Sequence, residues 1–101
     1  MAKNLQVTVL LDIYGEMLTE KQRSFLEYYY NDDLSLSEIA ENEGITRQGV
    51  NDLIRRSEIQ LRAMEEKCGY SEKFQKLKNL AEKARNSENV FEDILLIIDE
   101  L

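Results

Sequence analysis

Three side chains between positions 48 and 55 have the chemistry of a base reader. Gln48 and Asn51 each carry an amide that can pair with two edge atoms of adenine, and the Arg55 guanidinium matches guanine. Thr46 and Arg47 open the same segment, where a hydroxyl, a cation and the unpaired amides of a helix N-terminus suit a phosphate. If the segment is a helix with Val50 inward, a turn of about 100° per residue points Gln48, Asn51, Asp52 and Arg55 outward. Asp52 opposes its neighbours, because a carboxylate there repels phosphate and serves only the amino group of cytosine.

A second basic group, Lys73, Lys76, Lys83 and Arg85, reads as the solvated face of an amphipathic helix or as a contact for RNA or an acidic protein. Arg55, Arg56 and Arg62 stand at helical spacing from Glu58, Glu65 and Glu66, as on an ion-paired face, with a phosphate track as the other reading. Enzyme chemistry has little to attach to. With no histidine and Cys68 as the one cysteine, a His-based triad, a Cys/His zinc site and an internal disulfide are all excluded. The four glycines are too scattered for a phosphate loop or dinucleotide fingerprint, and Asp32 and Asp33 read as solvated turn acids. No catalytic, metal or cofactor-binding residue is assigned.

The elements that must hold the candidate reader are two helices crossing through a glycine turn. Ser35 and Glu38 make a capping box for the first, Ala40 is the small residue at the crossing, and Gly44 supplies the turn. Thr46 caps the second helix, which runs to about Lys67. Ile39, Ile45, Val50 and Leu53, with Ile54, should hold the pair together, so residues 35–67 read as a helix-turn-helix. Glu43 falls where such a corner buries an apolar side chain, which predicts a looser corner.

Around this unit the pattern is helical throughout, with no proline to interrupt it. Val7, Leu10, Leu11, Tyr14 and Leu18 share one face of a first helix, and Leu5, Val9 and Ile13 form a second stripe nearly opposite. Thr19 and Gln22 box the start of the next helix. It turns Phe25, Leu26 and Tyr29 inward with Tyr28 beside them, leaves Tyr30 outward for a partner, and stops at Asn31-Asp32-Asp33. Ser71 and Ser87 read as caps for two last helices. The earlier buries Phe74, Leu77, Leu80, Ala81 and Ala84. The later carries Val90, Phe91, Ile94, Leu95, Ile97, Ile98 and Leu101 on one broad face.

The 101 residues make one domain at most, 1–101, and the net charge of −7 weighs against a surface that clings to nucleic acid all round. A weakly basic middle, 46–86, lies between acidic ends. No apolar run approaches the roughly 18 residues of a spanning helix, and MAKNLQ lacks the layout of a signal peptide, so the chain reads as cytoplasmic with no membrane partner. The doubly apolar first helix and the broad last one offer more apolar surface than one such chain readily covers. A homodimer is expected.

Three separated motifs carry a resemblance: Tyr14-Gly15-Glu16-Met17-Leu18-Thr19-Glu20-Lys21-Gln22-Arg23, the Tyr28-Tyr29-Tyr30 run with Asp32 to Leu36, and Ser37-Glu38-Ile39-Ala40 through Thr46-Arg47-Gln48. In order and spacing they resemble the YlxM/p13-like family of helix-turn-helix proteins, strongly over about residues 5 to 66. More distantly they are similar to region 4 of bacterial primary sigma factors. The resemblance implies an all-α fold: a sigma-region-4-like helix-turn-helix domain with a C-terminal helical hairpin at about 70–101. It also implies a non-enzymatic, dimeric regulatory protein, encoded near the GTPases of the signal recognition particle and contacting that particle's protein or RNA. The alternative is a dimeric regulator reading duplex DNA in the major groove. Against the sigma pattern Arg47 matches a DNA-contacting arginine, whereas Gln48, Gly49, Asn51 and Asp52 depart from it. Against its own family the chain differs at Gly49, Asn51 and Leu53.

Overall fold

Side-chain caps set where three of the helices begin, and each stands where the sequence places it. Thr19 Oγ1 accepts from the Gln22 amide at 3.2 Å while Gln22 Oε1 accepts from the Thr19 amide at 3.0 Å. Ser35 and Glu38 repeat the exchange at 3.1 Å in both directions, and Thr46 Oγ1 accepts from the Gly49 amide at 2.9 Å. Each bond satisfies an amide that the first turn leaves without a helical partner. The computed structural model describes residues 4–83 and 90–100, and every regular element among them is helical. They are α1 (Gln6–Tyr14), a 3-10 turn (Gly15–Met17), α2 (Glu20–Tyr30), α3 (Leu36–Glu43), α4 (Arg47–Cys68), α5 (Tyr70–Lys83) and α6 (Val90–Glu100). The chain divides into two compact units, Met1–Lys67 and Cys68–Leu101.

In the first unit α1 to α4 enclose a core of Val7, Leu10, Leu11, Tyr14, Leu18, Phe25, Leu26, Tyr29, Ile39, Ala40, Val50, Ile54 and Leu61. The first helix is shorter than its apolar pattern. It yields at Tyr14 to the 3-10 turn, and Leu18 enters the core from extended backbone. Its second stripe stays outside: Leu5 is 74% exposed, Val9 is exposed and Ile13 is half-buried. Gly44 ends α3 in the left-handed region at φ 69°, where its amide and that of Ile45 both return to the Ala40 carbonyl. Two residues expected to seal the corner do so incompletely. Ile45 is 38% exposed and Leu53 is half-buried, and Glu43 beside them is exposed.

Two tyrosines tie α4 to the earlier helices. Tyr14 donates to Glu65 at 2.7 Å, and Tyr30 donates to Glu58 at 2.5 Å. Tyr30 is therefore half-buried and engaged inside the chain rather than presented to a partner, and Glu65 and Glu58 accept from the two tyrosine hydroxyls. Ser57, buried among apolar side chains, returns its hydroxyl to the Leu53 carbonyl at 2.7 Å, so no polar group is stranded there.

The second unit is a hairpin in which α5 and α6 pack together. Helix α5 starts at Tyr70, directly after Gly69, so Ser71 lies inside it rather than capping it. None of its residues is fully buried: Leu77 and Leu80 are half-buried, while Phe74 and Ala81, expected inside, are exposed. Two helices alone cannot enclose a face that broad. Ala84, Arg85, Ser87 and Leu101 lie outside the described residues, as do the side chains of Val90 and Ile97. No described helix is long and apolar enough to cross a membrane.

Burial, the hydrogen bond to Glu58 and that carboxylate's charge together push the Tyr30 hydroxyl well above the ordinary phenol range. The unfolded chain ionises at pH about 10 while the folded chain keeps the proton, so this contribution is complete below pH about 10 and lost as pH rises further. Tyr30→Phe should lower stability by about 1 kcal/mol at neutral pH and flatten the fall above pH about 10. Urea unfolding across that range checks both.

Candidate nucleic-acid interface

Helix α4 is sealed along one stripe and open along the other. Val50, Ile54, Ser57 and Leu61, at spacings of four, three and four, are all buried. Turning about 100° per residue from Val50 puts Gln48, Asp52, Arg55 and Ile59 in one line on the opposite side, and all four are exposed. A helix held this way can lie in a groove of a partner without disturbing its own core.

The expected reading residues do not all share that line. Asn51 stands on the flank and is half-buried. Thr46 is exposed, and its hydroxyl oxygen accepts from the Gly49 amide, a cap that does not use the hydroxyl's proton. Arg47 turns toward a depression it lines with Tyr29, Asp33, Leu34, Ser35, Leu36 and Glu38, beside two carboxylates rather than along the open stripe. Gln48 donates its amide to Asp52 Oδ1 at 2.9 Å. The residue best suited to adenine is thus held by the carboxylate that opposes phosphate.

Two further features mark the open face. Arg56 stands beside Asp52, its Nε 3.4 Å from that residue's carbonyl oxygen, and with Arg55 it flanks Ile59. Ile59 is 64% exposed and borders a groove of about 470 Å³ with Thr19, Gln22, Leu53, Arg56 and Gln60, where Gln22 donates to Gln60 at 2.7 Å. From Val50 the sequence turns Ile59 away from the buried stripe, which predicts a contact with the C-terminal hairpin or a second chain, and here its side chain is exposed. The bend of Arg56 toward Asp52 needs side-chain geometry.

The other basic group lies on α5. Lys76 and Lys83 are exposed and Lys73 is half-buried, with Lys76 4.0 Å from Glu72 one turn earlier. Arg85 lies outside the described residues. Among the described residues no cluster of carboxylates and Cys68 is placed to hold a metal ion.

A family model described as "Putative helix-turn-helix protein, YlxM / p13 like" matches residues 1–100. The chain belongs to the YlxM/p13-like family. A UPF0122 protein of Clostridium kluyveri is 44% identical over 101 residues, covering all of this chain and 82% of its own length. One from Shouchella clausii is 45% identical over 85 residues, 84% of this chain and 78% of the relative. Another from Desulforamulus reducens is 49% identical over 78 residues, 76% and 67% of the two chains. The YlxM/p13-like match spans both compact units, so the hairpin belongs to the family pattern as the helix-turn-helix does.

Asp52→Asn removes one negative charge from the open stripe and retains an acceptor for Gln48. Duplex DNA binding, followed by fluorescence anisotropy at low salt, should tighten about fivefold. Unchanged affinity would place Asp52 away from any phosphate.

Proposed function

We propose that this protein is a non-enzymatic regulatory protein that contacts nucleic acid through the open face of α4. The observation that carries the reading is the division of α4 into a stripe sealed by Val50, Ile54, Ser57 and Leu61 and an exposed line of Gln48, Asp52 and Arg55. Arg55 supplies the guanine-matching fork and Arg56 a phosphate contact, with Arg47 a second phosphate contact from the adjoining side. So few cations give a small electrostatic contribution, so a single copy binds duplex weakly. Two copies presenting their α4 helices to half-sites about 34 Å apart would add their contacts. Duplex binding that weakens with salt in proportion to these few phosphate contacts, and at least about tenfold on Arg55→Ala with Arg56→Ala, is the expected result. Binding indifferent to both changes would defeat this reading.

The exposed lysines of α5 favour a second reading, in which the protein meets the RNA or protein of the signal recognition particle. It follows the family resemblance and uses Lys76 and Lys83, with Lys73 beside them and Arg85 beyond. Reversing Lys76 and Lys83 to glutamate should then abolish co-purification with the particle's RNA or GTPase from a cytoplasmic lysate. Retention of the complex by the reversed variant would remove these lysines from the contact.

A further inference from the structure

Arg55 and Arg56 stand three and four residues after Asp52, the spacings at which side chains on a helix form ion pairs. Among the described residues neither guanidinium takes that partner. Arg56 turns its Nε to the Asp52 carbonyl oxygen at 3.4 Å, and Arg55 is exposed. The carboxylate is held by Gln48 instead, which donates to Oδ1 at 2.9 Å. That bond fixes the carboxylate on the open side of α4 and leaves Oδ2 as an acceptor. Asp52 and Arg55 line one hollow of about 500 Å³ with Arg56 and Ile59, so a charged acceptor and a forked donor are offered side by side.

Such a pair selects bases. In the major groove guanine shows two acceptors, thymine an acceptor and a methyl group, and adenine an acceptor beside its amino group. Cytosine shows a donor alone, so its edge is the one that presents a carboxylate with no opposing acceptor. Arg55 matches the two acceptors of guanine. Residues three apart on a helix are separated by about 4.5 Å along its axis, and side chains so spaced reach successive base pairs. Gln48, with its amide engaged by Asp52, is then a positioning residue rather than a reader of adenine.

We propose that Asp52 and Arg55 read two successive G·C pairs of duplex DNA, Asp52 Oδ2 accepting from the amino group of cytosine in one and Arg55 donating to guanine in the next. The inference rests on the duplex reading above and adds to it the base sequence that the face takes. The charge of Asp52 lowers affinity for every duplex alike, and it supplies discrimination in exchange.

The test is selection by the full chain, at low salt, from duplexes randomised over about ten base pairs. The parent should enrich two successive G·C pairs. Asp52→Asn, although it tightens duplex binding in general, should turn one of them to A·T and keep the other. Arg55→Ala should free the other. Gln48→Ala should relax the position read by Asp52 and leave that read by Arg55. A second measurement alters the DNA and not the protein. N4-methylcytosine carries a methyl group in place of the proton that cytosine shows in the major groove. At the selected position it should weaken the parent at least about tenfold and leave Asp52→Ala unaffected. Retention of duplexes with no sequence preference, enrichment unchanged by Asp52→Asn, or equal affinity for the methylated site would each overturn this inference while the duplex reading stands. Retention of no duplex at all would overturn both.

Discussion

Burial of Val50, Ile54, Ser57 and Leu61 beneath a helix whose other side is bare is the constraint on which the first unit depends. A helix of 22 residues spans about 33 Å at 1.5 Å per residue. Only a continuous inward stripe can hold such a length against three shorter helices. The hydroxyl of Ser57 is tolerated within that stripe because it bonds back to its own helix. The tyrosine bonds to Glu58 and Glu65 then fix the rotation of α4 about its axis, and that rotation decides which residues face outward.

Much of this arrangement is legible in the residues. Capping at Thr19, Ser35 and Thr46 and the left-handed turn at Gly44 are local events, governed by side chains within three residues of the backbone they satisfy. The buried faces of α1 and α2 follow from periodicity alone. What periodicity misses depends on the identity of a distant neighbour. Tyr30 is outward on its own helix, yet finds Glu58 on α4. Phe74 carries the right spacing for burial, but α5 packs on α6, and a two-helix unit leaves one side of each bare.

The open face of α4 is legible in outline from periodicity, and its side-chain contacts are not. Choosing Val50 as the inward direction correctly exposes Gln48, Asp52 and Arg55. It does not separate residues on the open line from those on its flanks, and Asn51, expected outward, stands half-buried on the flank. Side-chain traffic between Gln48 and Asp52 was also hidden, although their spacing of four is the usual one for such a bond. Competition within the face, more than its residue types, sets what it can recognise.

The join between Thr46 and Gly49 gives the first turn of α4 a particular vulnerability. A β-carbon at position 49 would stand 3.2 Å from the very hydroxyl that accepts the Gly49 amide. Alanine there would gain helical preference while crowding the threonine that anchors the turn. The first turn of α4 can therefore be given more helical preference or kept firmly fastened to its cap, and a single methyl group sets those two aims against each other. A residue that meets no ligand thereby governs how steadily the leading end of α4 is offered.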